Sequence, residues 1–202
     1  MHTQVSPFEL QAWKEGNRHN YSAGWKGVSP EFGEITLTAP LPRTNPESLV
    51  SEVRGGLLPV ASFEARGMHA EGLKLPTLNR STLRVGDRMV YVSRNRFGAT
   101  LDQRALTMKY AGDQYRLAAL DKNAYVLSRE PDDEDPGVRI TVRESGRGKN
   151  RRLSVRAEGR AEGGDLALGL IFAGVDRSVL TRIGAVKAGI SRVTHFWTEA
   201  TY

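Results

Sequence analysis

Asp165-Leu-Ala-Leu-Gly-Leu-Ile-Phe-Ala-Gly-Val175 is the longest nearly unbroken apolar run in the chain, and it follows the polar breaker Glu162-Gly163-Gly164. Wound as a helix, Leu166, Leu168, Leu170, Ile171, Phe172 and Val175 point around most of the circumference. A helix that is apolar on nearly every side belongs inside other structure. Burying those side chains contributes on the order of 10 kcal/mol of gross hydrophobic stabilisation. The run is too short to cross a bilayer, which takes about 20 apolar residues. Asp165 is expected to cap the helix by accepting unpaired amides of its first turn. The stretch 165–175 therefore reads as a core helix enclosed by the strands that precede it.

Those strands announce themselves by alternation. Val138, Ile140 and Val142 alternate with Arg139, Thr141 and Arg143, and Leu153, Val155 and Ala157 alternate with Arg152, Ser154 and Arg156, which predicts two strands with one apolar and one wet face. Upstream, Thr82–Val85 and Arg88–Val92 flank Gly86-Asp87, a two-residue hairpin signal. Residues 105–110, 114–119 and 124–128 continue the meander through polar turns. Near the N-terminus, Phe8, Leu10 and Ala12 are expected to pair with Tyr21, Ala23 and Trp25 about a turn at Asn17–Asn20, and 32–39 form a further strand. The segment 48–53 suits either a short helix capped by Ser48 or a strand, and short strands are expected around Val60, Phe63, Leu73 and Leu75. After the core helix, Val179, Ile183, Val186, Ile190 and Val193 recur at intervals of four and three, which predicts a second, amphipathic helix over 178–194. Phe196, Trp197 and Tyr202 suggest a docked tail strand. The fold class is mainly β (α+β): an antiparallel barrel or curled sheet around an apolar helix, followed by a second helix. A single domain over 1–202 is expected, with N-terminal strands and a Pro-rich connection in 1–46, the meander in 47–161 and a helical segment in 162–195.

The chain has 202 residues, a formal charge of +6 and no cysteine. The missing thiols exclude disulfides, thiol catalysis and cysteine-ligated metals. Residues 1–10 show no basic or apolar leader pattern, so the cytoplasm is the expected compartment, with peripheral attachment to a membrane. The positive charge favours anionic partners. It is concentrated on one hairpin: Arg143, Arg147, Lys149, Arg151, Arg152 and Arg156 lie on or beside the turn at Gly146–Asn150. The alternative reading of this cluster is a solvated loop that keeps a strand end from aggregating.

The order of strand-rich body, basic hairpin and late apolar helix resembles the tubby-like fold shared by tubby proteins, the LURP-one-related family and phospholipid scramblases. Gln114–Ser128 looks like the family's strand–turn–strand, and Asp165–Val175 looks like its threading helix. The likeness covers roughly residues 80–175 and is one of pattern. The second helix and the first 30 residues depart from it. The resemblance implies a closed antiparallel barrel threaded by a hydrophobic helix, and binding of phosphoinositides or other anionic lipid head groups.

Other chemistries find little footing. Gly146-Arg-Gly148 has Arg151 where a dinucleotide fingerprint needs its third glycine, and Gly148-Lys149 lacks the remaining P-loop residues. Taken as a calcium loop from Asp133, the acidic run places Val138 where the turn needs glycine. It reads better as a solvated turn, one able to balance the basic hairpin. His2, His19, His69 and His195 show no metal spacing. Gly27-Val-Ser29-Pro30 approaches a nucleophile elbow, but proline removes an oxyanion-hole amide. Trp13, Trp25, Phe196 and Trp197 suit packing better than a base-stacking platform. The expectation is a non-catalytic binding module without cofactor or metal. Its anion site would be Arg143, Arg147, Lys149, Arg151, Arg152 and Arg156. The alternatives are a protein-interaction scaffold using 178–194, and sequence-independent nucleic-acid binding.

Overall fold

In the computed structural model, residues 5–16, 21–40, 48–67, 75–78, 81–95, 100, 102–133 and 135–181 are described. Twelve antiparallel strands follow one another up and down: β1 (Phe8–Gly16), β2 (Tyr21–Ser29), β3 (Gly33–Ala39), β4 (Ser48–Arg54), β5 (Ala61–Arg66), β6 (Ser81–Val85), β7 (Arg88–Arg94), β8 (Leu106–Tyr110), β9 (Asp113–Ala119), β10 (Ala124–Arg129), β11 (Val138–Ser145) and β12 (Arg152–Gly159). Each pairs with its sequence neighbours, and β1 pairs with β12 to close the barrel. Closure leaves the sheet no free edge.

The alternation read from the sequence decides which face is inside. On β11 and β12, Val138, Ile140, Val142, Leu153, Val155 and Ala157 are buried, while Arg139, Arg143, Arg152 and Arg156 are exposed. The outer wall of this hairpin is thus charged where a lipid-spanning barrel is apolar. The opening hairpin forms in the expected phase, with Ala12 opposite Trp25, while its turn at Asn17–Asn20 lies outside the described residues. Residues 48–54 resolve as strand, with Leu49, Ser51 and Val53 inward. Leu75 is not in a strand, and Leu73 lies outside the described residues.

Helix α1 (Gly163–Ile171) continues as a 3₁₀ turn over Phe172–Gly174. Leu166, Leu168, Leu170, Ile171 and Phe172 are 0 % exposed. Their neighbours come from opposite arcs of the ring. Ile140 of β11 packs against Gly169, and the Tyr125 hydroxyl of β10 donates to the Gly169 carbonyl at 2.8 Å. Across the barrel, Phe63 of β5 meets Phe172 edge-on at 5.9 Å, and the Ser51 hydroxyl of β4 donates to the Gly174 carbonyl. The apolar helix is therefore the core that the barrel encloses.

Two local expectations are corrected. Asp165 is not the N-cap: the helix begins two residues earlier, Glu162 is the extended cap residue, and Asp165 sits at the third helical position. Its carboxylate reaches back to accept the Glu162 amide at 2.8 Å, so it still satisfies an end group, from inside the first turn. Gly163-Gly164 open the helix where side chains would be crowded: a Cβ on Gly163 would lie 3.0 Å from the Leu57 carbonyl oxygen, and one on Gly164 3.0 Å from the Tyr110 hydroxyl. Secondly, the second helix is not seen. Ser178–Leu180 form a 3₁₀ turn with Leu180 buried, Thr181 is extended, and 182–194 lie outside the described residues, as do Phe196, Trp197 and Tyr202.

Candidate functional site

The strand directions define two ends. At the lower end, where α1 begins, short turns such as Gly86-Asp87 and Ala111-Gly112 join the strands. At the upper end lie the strand ends joined by 40–47, 67–80, 95–105 and the basic turn 146–151. After α1 the chain emerges at this upper end, where the Asp176 amide donates to the Pro76 carbonyl at 2.9 Å. Long connections on a rigid scaffold are where binding groups tend to collect.

The basic turn is built by two glycines. Gly146 has a φ of +78°, and a Cβ there would meet the Asn150 carbonyl, while Gly148 has a φ of +56°. From Gly148 the chain makes a single 3₁₀ turn to Asn150, capped by Arg147, and both Arg147 and Lys149 are exposed.

The six cations of the hairpin are distributed, not gathered. Arg143 donates to Asp121 at 3.1 Å, Arg152 to Glu9 at 3.2 Å, and Arg156 lies 3.3 Å from Glu158, all on the outer wall. The Asp121 carboxyl is held below the usual carboxylate range, chiefly by the Asn123 amide and then by Arg143. Arg151 pairs with Glu144 at 2.6 Å and lays its guanidinium 4.9 Å from the centre of the Trp25 ring. Among the described residues, only Arg147 and Lys149 of this set have side chains without a hydrogen-bond or ion-pair partner. The acidic run does not balance this turn. It lies at the other end of β11, where Asp135 pairs with Arg129 at 3.2 Å.

Beside the turn the barrel mouth opens into a cavity of about 700 Å³. Its wall includes Ala12, Trp13 and Lys14 of β1, Ala23, Gly24 and Trp25 of β2, and Ala39 of β3, with Leu75, Gly148, Lys149 and Arg151 at the rim. Ala12, Lys14, Ala23, Trp25 and Ala39 are in the inward phase that lower down carries Leu10, Ile35 and Leu37, while Trp13 and Gly24 line the cavity from the opposite phase. Trp25 is 6 % exposed, and its indole N–H finds no acceptor among the described residues. Sequence reading found the turn and expected Trp25 to pack, as it does in the core, but it missed the cavity that Trp25 borders. The available signal was the change from leucine to alanine at the inward positions near the strand ends.

A smaller groove of about 310 Å³ at the lower end is lined by Arg129, Glu130, Arg139 and Glu158 among others. Beside it lies a buried cluster that belongs to the helix. Tyr115 donates to Asp165 at 2.6 Å, and Arg129 lies 3.8 Å from Asp165. Burial pushes the Tyr115 hydroxyl far up and raises the Asp165 carboxyl, although Tyr115, the Glu162 amide and Arg129 all oppose the latter. These groups are occupied in fixing the start of α1. Ser29 is buried, with its hydroxyl on Glu31 and on the Phe32 amide, so it serves a turn. No group of metal-ligating side chains occurs among the described residues, and the four histidines lie outside them. Nor is any described helix long and apolar enough to cross a membrane. Compared with protein-family models, curated proteins and solved structures, the chain matches none of them.

Proposed function

We propose that this chain is a non-catalytic binding module that takes a phosphate-bearing ligand at its upper rim through the turn 146–151. The observation that carries the reading is the pair Arg147 and Lys149, exposed cations without a carboxylate partner among the described residues, with Lys149 on the edge of the 700 Å³ cavity. A cation already neutralised by a neighbouring carboxylate offers an incoming phosphate less than an unneutralised one. That narrows the expected anion site from the whole hairpin to Arg147 and Lys149 of its turn, because Arg151 is paired with Glu144. Arg143, Arg152 and Arg156 then serve the outer wall.

The choice of a binding module over an enzyme is supported by how the buried titratable groups are used: Asp165, Arg129 and Tyr115 face one another at the start of the helix, away from the cavity. The resemblance to the tubby-like, LURP-one-related and scramblase proteins is the reason to try anionic phospholipid head groups first. On this reading the chain works in the cytoplasm, at the surface of a membrane.

Flotation with vesicles containing an anionic phospholipid, against vesicles of neutral phospholipid alone, tests it. Arg147→Glu with Lys149→Glu should weaken binding about tenfold or more, the equivalent of one modest charge contact. Arg156→Glu, on the outer wall, should have a much smaller effect. Unchanged flotation of the double variant removes the turn from consideration. A mobility shift with nucleic acid that collapses steeply with salt would instead favour a phosphate-backbone partner.

A further inference from the structure

We infer that the ligand of this rim is an anionic amphiphile: its charged head sits at Lys149 and its acyl or aryl body enters the barrel mouth. The inference rests on the reading above and deepens it by naming what fills the cavity.

The argument starts from the strands. On β1, β2 and β3 the inward positions change as the strands reach the upper end. Leu10 and Leu37 are 0 % exposed, and one step further up the wall is made by Ala12, Ala23 and Ala39. Ala23 stands between Ala39 and Lys14, Ala12 stands opposite Trp25, and the Trp13 and Trp25 indoles are the large rings of the lining. Alanine on three adjacent strands is what leaves room. The resulting volume, about 700 Å³, is of the size that holds small organic ligands.

The wall chemistry selects the ligand further. Methyl groups and the Trp13 and Trp25 rings gain by covering apolar surface, and a bare phosphate ion offers none. The cations are all at the edge: Lys14 near the end of β1, Lys149 in the turn, and Arg151 over the indole. An apolar pocket with cations confined to its rim complements a molecule with an apolar body and an anionic head. Carboxylates and phosphate monoesters share that chemistry, whether free in solution or part of a bilayer lipid.

Tryptophan emission provides the test, since Trp13 and Trp25 lie in the cavity wall and the full chain holds only three tryptophans. The probe is 11-bromoundecanoate kept below its aggregation concentration, with bromine as the contact quencher. Saturable quenching is expected, and decyl phosphate should displace the probe where undecanol does so weakly. Affinity across hexyl, octyl and decyl phosphates should rise roughly fourfold per methylene until the mouth is full. Ala39→Phe, which fills the space, should flatten that chain-length dependence and weaken decyl phosphate about tenfold or more. Trp13→Phe with Trp25→Phe should remove the saturable component, since both indoles line the cavity, and circular dichroism establishes that each variant is folded. A parallel arm uses vesicles carrying brominated phosphatidic acid. Quenching there but not with the monomer assigns the amphiphile to a bilayer, and the reverse assigns it to a free molecule. Non-saturating quenching in both arms, or an unaltered chain-length dependence in Ala39→Phe, overturns the inference. If a soluble inositol phosphate still binds in an Arg147- and Lys149-dependent way, the proposed function survives that failure. If it does not bind either, both fall.

Discussion

The Tyr115 hydroxyl of β9 donates to the Asp165 carboxylate at 2.6 Å, tying the barrel wall to the first turn of the helix it encloses. Both residues are buried, and burial holds the phenol protonated far above its ordinary range, so it remains a donor throughout the useful pH range. Tyr115→Phe should therefore cost about 1–3 kcal/mol, because one carboxylate oxygen loses its donor in a dry site. Urea unfolding measures it. A variant as stable as the wild type would mean that the contact is not formed in solution.

The same carboxylate gives the fold a recognisable pH dependence. Burial, the largest influence, raises the Asp165 carboxyl above its ordinary value. The native state then keeps a proton that the unfolded chain has already released, so this group's contribution falls as pH rises from about 3.9, the unfolded value, to the raised one. Above that the penalty is constant. Asp165→Asn removes the slope, so the stability of wild type minus that of the variant should decrease with rising pH across this window and then level off. A difference that rises through the window contradicts the assignment.

At the far end of the helix the packing leaves no slack. A Cβ on Gly174 would lie 2.7 Å from Ser51 Oγ and 2.9 Å from Ser51 Cβ. Gly174→Ala should destabilise by about 1–3 kcal/mol through overpacking. Ser51→Gly removes the obstructing atoms, so the double variant should lose less than the sum of the two single changes. Strict additivity would show that the two residues do not touch.

The order of elements was legible because sidedness is written locally. Arg139-Ile140-Thr141-Val142-Arg143 can bury one face only as a strand, and the Asp165–Val175 run has no wet face at all. Where local pattern misled, a longer-range contact had prevailed. Gly163-Gly164 looked like a breaker, but the pair opens the helix at a place crowded by the Leu57 carbonyl and the Tyr110 ring, both distant in sequence. The second helix rested on spacing alone, and in the described part Ser178–Leu180 turn as 3₁₀ instead, with Leu180 packed on the core and the Thr181 amide bonded to the Ser178 carbonyl.

By itself, the sequence determined that this chain is strand-rich, that its late apolar run must be buried, and that a glycine-flanked turn carries a concentration of positive charge. Periodicity and composition suffice for that, since each follows from neighbours along the chain. Only the tertiary structure decided that β1 meets β12 to close the ring and that Glu9 and Asp121 neutralise Arg152 and Arg143. It also decided that three alanines from separate strands meet beside Trp25. Those outcomes depend on which strand ends come together in space, and that is set by closure of the whole barrel around its helix.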